Sequence, residues 1–265
     1  MKMDFGFRDK VAIVTGASKG IGAAVAEILA AEGARLALVA RTPKHLEDLA
    51  ARLSKTYKTE VAVIPADLSK TGPADDVAAQ ALRVFGKIDI LICSAGSSQG
   101  GVFWEVPDET WEAAVQLKFL GTVRMVRAVL PAMRRQQWGR IVIVAGNTGR
   151  QPHARLLPGS TTNAALLAFT KGLSEEIMKD GIHINALQPG PTRTEHWDTL
   201  MANLSRGTGL DAGAFESEFM KQIPMGRVAE AIEMARPVVF MASDLASYMT
   251  GRSIIVDGGW TKDLA

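Results

Sequence analysis

Eight residues near the start of the chain, Thr15-Gly16-Ala17-Ser18-Lys19-Gly20-Ile21-Gly22, have the types and spacing to hold a phosphate. Gly16 lets the chain turn where a side chain would clash, and Gly20 and Gly22 let backbone approach a pyrophosphate and a helix pack on a strand. A helix N-terminus placed there offers unpaired N–H groups and a partial positive charge to the anion. Three glycines alone also fit an ordinary tight turn, so the flanks decide. Lys10-Val11-Ala12-Ile13-Val14 before them is a β-branched run, and residues 21–31 after them are Ala-rich with apolar positions at helical spacing. Strand, glycine turn and helix in that order are the context that nucleotide binding requires. A second position bears on which nucleotide. Dinucleotide sites for NAD usually place an acid at the end of the second strand for the ribose 2′-hydroxyl. Here that end reads Ala40-Arg41-Thr42. Arg41 can pair bidentately with a 2′-phosphate and Lys19 adds a second charge, which predicts NADP(H) in preference to NAD(H).

The elements that must position these residues alternate strand and helix, the pattern of βαβ units and a parallel sheet. Strands are predicted at 10–14, 36–40, 61–65, 89–93, 140–144, 182–187 and 254–256, with helices at 43–57, 73–85, 108–135 and 160–179 between them. Pro107 is the start signal of the long helix. Residues 191–224 break the rhythm: Gly207, Gly209 and Gly213 sit between helical patches, and a segment of that length beside the cofactor turn reads as a lid over a substrate pocket. Pro237 falls inside the helical stretch 228–242, where it removes a backbone hydrogen bond and predicts a kink.

Length and composition fit one α/β domain spanning 1–265. The chain has 265 residues, 47% hydrophobic and 22% charged, and a net charge of +2. Its Lys and Arg residues are scattered rather than striped, which argues against nucleic acid as a partner. No window approaches a membrane span, and residues 1–8 carry no apolar run of signal length, so a cytoplasmic protein is expected. The single cysteine, Cys93, closes a predicted buried strand and reads as a small core residue. No His, Cys or carboxylate spacing suggests a metal site.

With these landmarks in place, the chain resembles the short-chain dehydrogenase/reductase family over nearly its whole length. The matching stretches are 15–22, Ala66-Asp67-Leu68, Ser94-Ala95-Gly96, Pro189-Gly190-Pro191-Thr192, Gly251 and Val256-Asp257-Gly258-Gly259. The resemblance implies a single-domain, doubly wound Rossmann fold with seven parallel strands. It implies that Gly16, Ser18, Lys19, Gly20, Ile21 and Gly22 form the pyrophosphate and ribose cradle. Asp67 and Leu68 would meet the adenine, Ser94, Ala95 and Gly96 would pass close to the cofactor, and Pro189, Gly190 and Thr192 would flank the nicotinamide. The family usually has Asn where this chain has Ser94, whose hydroxyl can bond the neighbouring backbone.

The family's chemistry rests on Ser, Tyr and Lys with an Asn behind them. Aligning Asn163-Ala164-Ala165-Leu166 with the family's Lys-Ala-Ala-Leu puts Asn163 at the Lys position, Gly159 at the Tyr position and Gly146 at the Ser position, and the helix Asn corresponds to Lys118. All four differ. The only tyrosines, Tyr57 and Tyr248, lie elsewhere in the sequence. Asn and Lys have in effect exchanged helices, so Lys118 and Asn163 are the candidate catalytic pair, with an ammonium lowered in pKa by burial as proton donor. His153, in the loop after the fifth strand, is a third candidate. His183, alternating outward on its strand, and His45 read as structural, and His196 as a residue of the lid.

Two functions follow as expectations: an NADP(H)-dependent oxidoreductase for a carbonyl or alcohol substrate with a rebuilt proton-delivery site, or an inactive NADP(H)-binding relative acting as sensor or partner subunit. An apolar pocket from Phe103, Trp104, Leu156, Leu157 and Trp197 suggests a moderately hydrophobic small molecule. Leu166, Leu167, Phe169 and Leu173 on one helix suggest a homodimer or homotetramer.

Overall fold

A computed structural model describes residues 4–96, 100–195 and 197–262. Seven parallel strands run in the order β3-β2-β1-β4-β5-β6-β9. They are β1 (Val11–Thr15), β2 (Arg35–Ala40), β3 (Val61–Pro65), β4 (Ile90–Cys93), β5 (Gly139–Val144), β6 (Ile182–Pro189) and β9 (Ser253–Val256). The crossover helices are α1 (Gly20–Ala31), α2 (Pro43–Tyr57), α3 (Pro73–Phe85), α5 (Gly121–Gln136), α6 (Leu157–Ile177) and α9 (Ala231–Ala242). This is the expected doubly wound Rossmann fold.

The strands are apolar on both sides because helices cover both faces. Val11 and Ile13 join one core cluster with Val77, Val126 and Leu166 of α3, α5 and α6. Ala12 and Val14 point the other way, into a cluster with Val25, Leu46 and Val238 of α1, α2 and α9. His183 on β6 departs from the expected outward position: it is 7% exposed. Alternation along a doubly covered strand exchanges one buried face for the other, so it does not predict solvent. Pro237 lies within α9, which runs from Ala231 to Ala242 without interruption.

The order reverses at β1. Thr15 is paired with Val39 of β2 on one side and Cys93 of β4 on the other. A crevice opens beyond the carboxyl ends of strands at such a switch point, and it is where ligands bind in open α/β sheets.

The stretch expected as one long helix is three pieces. After α4 (Asp108–Ala114) the backbone widens into a π-helical turn, Val115–Leu120, before α5 begins. Thr122 donates its hydroxyl to the Lys118 carbonyl at 2.7 Å within this widened turn. Such turns cost regularity and recur at functional sites. Here it carries Lys118.

The region after β6 holds β7 (Thr192–Arg193), α7 (Trp197–Ser205) and α8 (Ala212–Lys221), with β7 paired to β8 (Ala229–Glu230). Trp197, Met201, Leu204, Phe219 and Ile223 from this region form a third apolar cluster with Leu156 and Trp260.

Candidate active site

Two glycines of the phosphate turn are required by a neighbour. A Cβ on Gly16, whose φ is +67°, would fall 2.6 Å from the Ser94 carbonyl oxygen, and one on Gly22 would fall 2.4 Å from the Gly16 carbonyl oxygen. The chain therefore folds back on itself at the switch point with no room for side chains. No side chain caps the start of α1, so its first-turn N–H groups are left for a ligand. Thr15 pins the adjoining turn. Its hydroxyl oxygen accepts from the Ser94 and Ala95 backbone N–H groups at 3.1 and 3.3 Å and donates to the Ile92 carbonyl at 3.3 Å. This brace, assigned to Ser94 on sequence grounds, is built from the strand next door.

A cavity of about 520 Å³ opens on this turn. Gly16, Ser18, Lys19, Gly20, Ile21, Arg41, Leu68, Ser94, Ala95, Gly96, Pro189, Gly190 and Thr192 all line it. Arg41 and Asp67 line an adjoining hollow, and His45 joins Arg41 at the cavity mouth. Gly22 is buried beneath the turn. Asp67 Oδ1 accepts from the Ser69 hydroxyl at 2.7 Å and its N–H at 3.1 Å. The Ser69 hydroxyl holds the carboxyl below its ordinary pKa. Lys19 does not reach toward Arg41: its ammonium is paired with Glu195, beyond β7.

At the other end the cavity wall is Lys118, Gly146, Thr148, Asn163, Leu156, Trp197, Leu200, Leu204, Phe219 and Trp260. The two residues of the expected exchange are thus brought together on one cavity. Lys118 is buried, and its stem lies against the backbone of Gly96, where an added Cβ would sit 3.3 Å from Cγ and Cδ. Burial pushes its pKa down to about 8. No described residue accepts a hydrogen bond from its Nζ or forms an ion pair with it. Asn163 is fully engaged: Oδ1 accepts from the Gly146 N–H and Nδ2 donates to Thr148 Oγ1, both at 2.9 Å.

His153 is not drawn into the wall. Its Nδ1 accepts from the Arg155 N–H at 3.2 Å, and burial followed by the Arg155 charge lowers its pKa. Tyr57 donates to Glu27, and Tyr248 is exposed, so neither serves the cavity. His196 lies outside the described residues. The apolar wall also differs from expectation. Phe103 and Trp104 are 59% and 82% exposed on a surface 3₁₀ turn and contribute nothing to it. Their place is taken by Leu200, Leu204 and Phe219 of the region after β6 and by Trp260 from the C-terminal segment. Trp260 directly follows the Asp257-Gly258-Gly259 landmark, which was the available signal. Asp257 anchors that segment, accepting from Thr261 N at 2.7 Å and Asn147 Nδ2 at 3.3 Å. Against the upward push of burial, hydrogen bonds from Thr261, Asn147 and Gly259 hold its carboxyl below the usual range.

The family model described as enoyl-(acyl carrier protein) reductase matches residues 16–261. A relative from Bacillus subtilis (strain 168), 2,3-dihydro-2,3-dihydroxybenzoate dehydrogenase, is 33% identical over 256 residues, covering 97% of each chain. The chain belongs to the short-chain dehydrogenase/reductase family. Among solved structures of the family, L-sorbose reductase from Gluconobacter frateurii, complexed with NADPH and L-sorbose, is 34% identical with a TM-score of 0.92, covering 99% of this chain and 100% of that one. An NAD⁺-bound xylitol dehydrogenase is 26% identical, also with a TM-score of 0.92, covering 96% of this chain and 100% of that one.

Proposed function

We propose that this chain is an NADP(H)-dependent oxidoreductase that interconverts a carbonyl and an alcohol, with Lys118 in place of the family's tyrosine as proton donor. The observation that carries the reading is the buried Lys118 amine, with no partner among the described residues, on the same cavity as the glycine turn and Arg41. The residues present fit a dinucleotide: Gly16 and Gly22, which no side chain could replace, an uncapped helix N-terminus, and Arg41 with no acid at the end of β2. The NADPH held by the L-sorbose reductase neighbour supports the same choice, while the NAD⁺ of the xylitol dehydrogenase neighbour makes Arg41 the residue on which it depends.

The nicotinamide, when bound, supplies or accepts the hydride. This chain's own residues do the rest. Ser18, Lys19, Gly20 and Ile21 hold the phosphates; Pro189, Gly190 and Thr192 wall the nicotinamide end. Leu156, Trp197, Phe219 and Trp260 exclude water and receive a moderately hydrophobic small molecule. Lys118 gives a proton to the carbonyl oxygen or takes one from the alcohol. Asn163 fixes Gly146 and Thr148 and so shapes the wall that the family's Ser and Lys would occupy. Residues 191–224 act as lid. We assign the cytoplasm as its compartment, and no described helix is long and apolar enough to cross a membrane. The half-buried Leu167, Phe169 and Leu173 of α6 are assigned to a homodimer or homotetramer contact, which light scattering at micromolar concentration tests.

The deciding experiment is turnover of a panel of carbonyls and alcohols with NADPH and NADP⁺, alongside direct cofactor titration. Reduction that depends on Lys118 upholds the reading. Tight NADPH binding without turnover across the panel leaves a dinucleotide-binding relative instead, the reading favoured by the missing hydroxyls at Gly146 and Gly159.

A further inference from the structure

Lysine amines capture carbonyls when burial in an apolar surrounding raises the share of neutral amine and no salt bridge holds the proton. Three features of Lys118 meet this requirement without reference to any cofactor. Its side chain is buried but lines the cavity, so the amine is shielded from bulk water and still reachable by a small molecule. Its stem is fixed against the Gly96 backbone, which limits the directions the amine can take. No described residue supplies a counter-charge to it: the one carboxylate among the described lining residues, Glu195, is paired with Lys19. The same cavity is lined by Leu156, Trp197, Phe219 and Trp260, which suit the apolar tail of an aldehyde.

We propose that Lys118 is a carbonyl-capturing nucleophile that forms a Schiff base with small hydrophobic aldehydes. The Nζ lone pair attacks the carbonyl carbon and the carbonyl oxygen takes up a proton, giving a carbinolamine. The C–O bond then breaks, the oxygen leaves as water, and a C=N bond to Nζ remains. The exchange consumes one aldehyde and releases one water, with no oxidant or reductant. Aldehydes are favoured over ketones because the attacked carbon carries one substituent fewer against the Gly96 backbone.

This inference rests on the cavity and not on the reductase reading, and the two can fail separately. The test treats the full-length wild-type chain, without nucleotide, with butanal or benzaldehyde and sodium cyanoborohydride, which reduces the imine to a stable secondary amine. Proteolysis and mass spectrometry then locate the alkyl group. Lys118 is expected to be alkylated at least ~10-fold faster than the exposed Lys44 and Lys221, the scale on which a desolvated amine exceeds a solvated one at neutral pH. Lys118→Arg, which keeps the cation but cannot form an imine, is expected to lose this fast label while the slow labelling of other lysines is unchanged. Label on exposed lysines with Lys118 unmodified overturns the proposal, and if NADPH-dependent reduction of the same aldehyde still proceeds, the reductase reading survives. Fast label on Lys118 in a protein that reduces nothing on the panel upholds this proposal and removes the other.

Discussion

The Gly146 N–H donates to Asn163 Oδ1 at 2.9 Å, and a Cβ on residue 146 would lie 2.8 Å from Asn163 Nδ2. Each residue is therefore the condition for the other. Asn163 fills the space that a side chain at 146 would need, and the absence of that side chain lets the amide close on the backbone. The two residues are therefore coupled in packing. Gly146→Ser is expected to destabilise the protein by ~1–3 kcal/mol, the cost of overpacking a filled site. Gly146→Ser with Asn163→Ala should cost less than the two single changes added together, because the clash is gone. Denaturant melts of the four proteins measure this, and additive costs would show that the two residues are independent.

Lys118 makes stability depend on pH in a direction set by its lowered pKa. In the unfolded chain the amine titrates near 10.5 and in the folded chain near 8. Between these values the unfolded state binds more protons, so folding stability rises with pH across that window. Below it the folded protein carries a buried ammonium with no partner among the described residues, which costs ~3 kcal/mol. Lys118→Met keeps the stem and removes the charge. The variant is expected to be more stable than wild type at pH 7, with the difference vanishing toward pH 10.5. Paired melts across pH give the answer, and a Met variant less stable at pH 7 would mean the ammonium is solvated or paired. The same variant should lower turnover by ~10²–10⁴-fold, the contribution of a general acid, with little change in cofactor affinity.

Arg41 is exposed and directly follows β2 on the cavity wall. Arg41→Ala is expected to weaken NADP(H) by ~1–3 kcal/mol, the scale of a charge-assisted hydrogen bond, and to leave NAD(H) nearly unchanged. Titration of both nucleotides against both proteins decides it. Equal wild-type affinity for the two would remove Arg41 as the reader of a 2′-phosphate.

The fold and the cofactor end were legible in sequence because their signals are local. The strand, glycine turn and helix at residues 11–31 are adjacent in the chain, and the end of the second strand is a fixed step further on. The substrate end was less so. Trp260, Leu200 and Phe219 meet only through tertiary packing, whereas Phe103 and Trp104, equally apolar, sit on an exposed 3₁₀ turn. Hydrophobicity alone does not say which aromatic is covered. The π-helical turn that carries Lys118 has no sequence signature, since its residues fit an ordinary helix as well. The Thr15 hydroxyl is hidden for a different reason: it acts on a backbone about eighty positions away, across a strand pairing.

The ion pair between Lys19 and Glu195 joins the glycine turn to the segment leading into α7. Both side chains are exposed, 36% and 61%, so the pair contributes only ~0–1 kcal/mol to folding. Its expected effect on an incoming phosphate is larger: a Lys19 that meets the anion would leave Glu195, whose carboxylate, also on the cavity, would repel the anion. Glu195→Gln is expected to leave the melting temperature nearly unchanged and to tighten NADP(H) by roughly 2–10-fold, the size of one exposed charge interaction. The gain should shrink as ionic strength rises from ~0.01 to ~1 M, since the charges concerned are solvent-exposed and screened. Fluorescence titration of NADPH at several salt concentrations measures both. Unchanged or weaker binding at low salt would mean that Lys19 remains with Glu195 and that the phosphates are held by the backbone N–H groups of α1 alone.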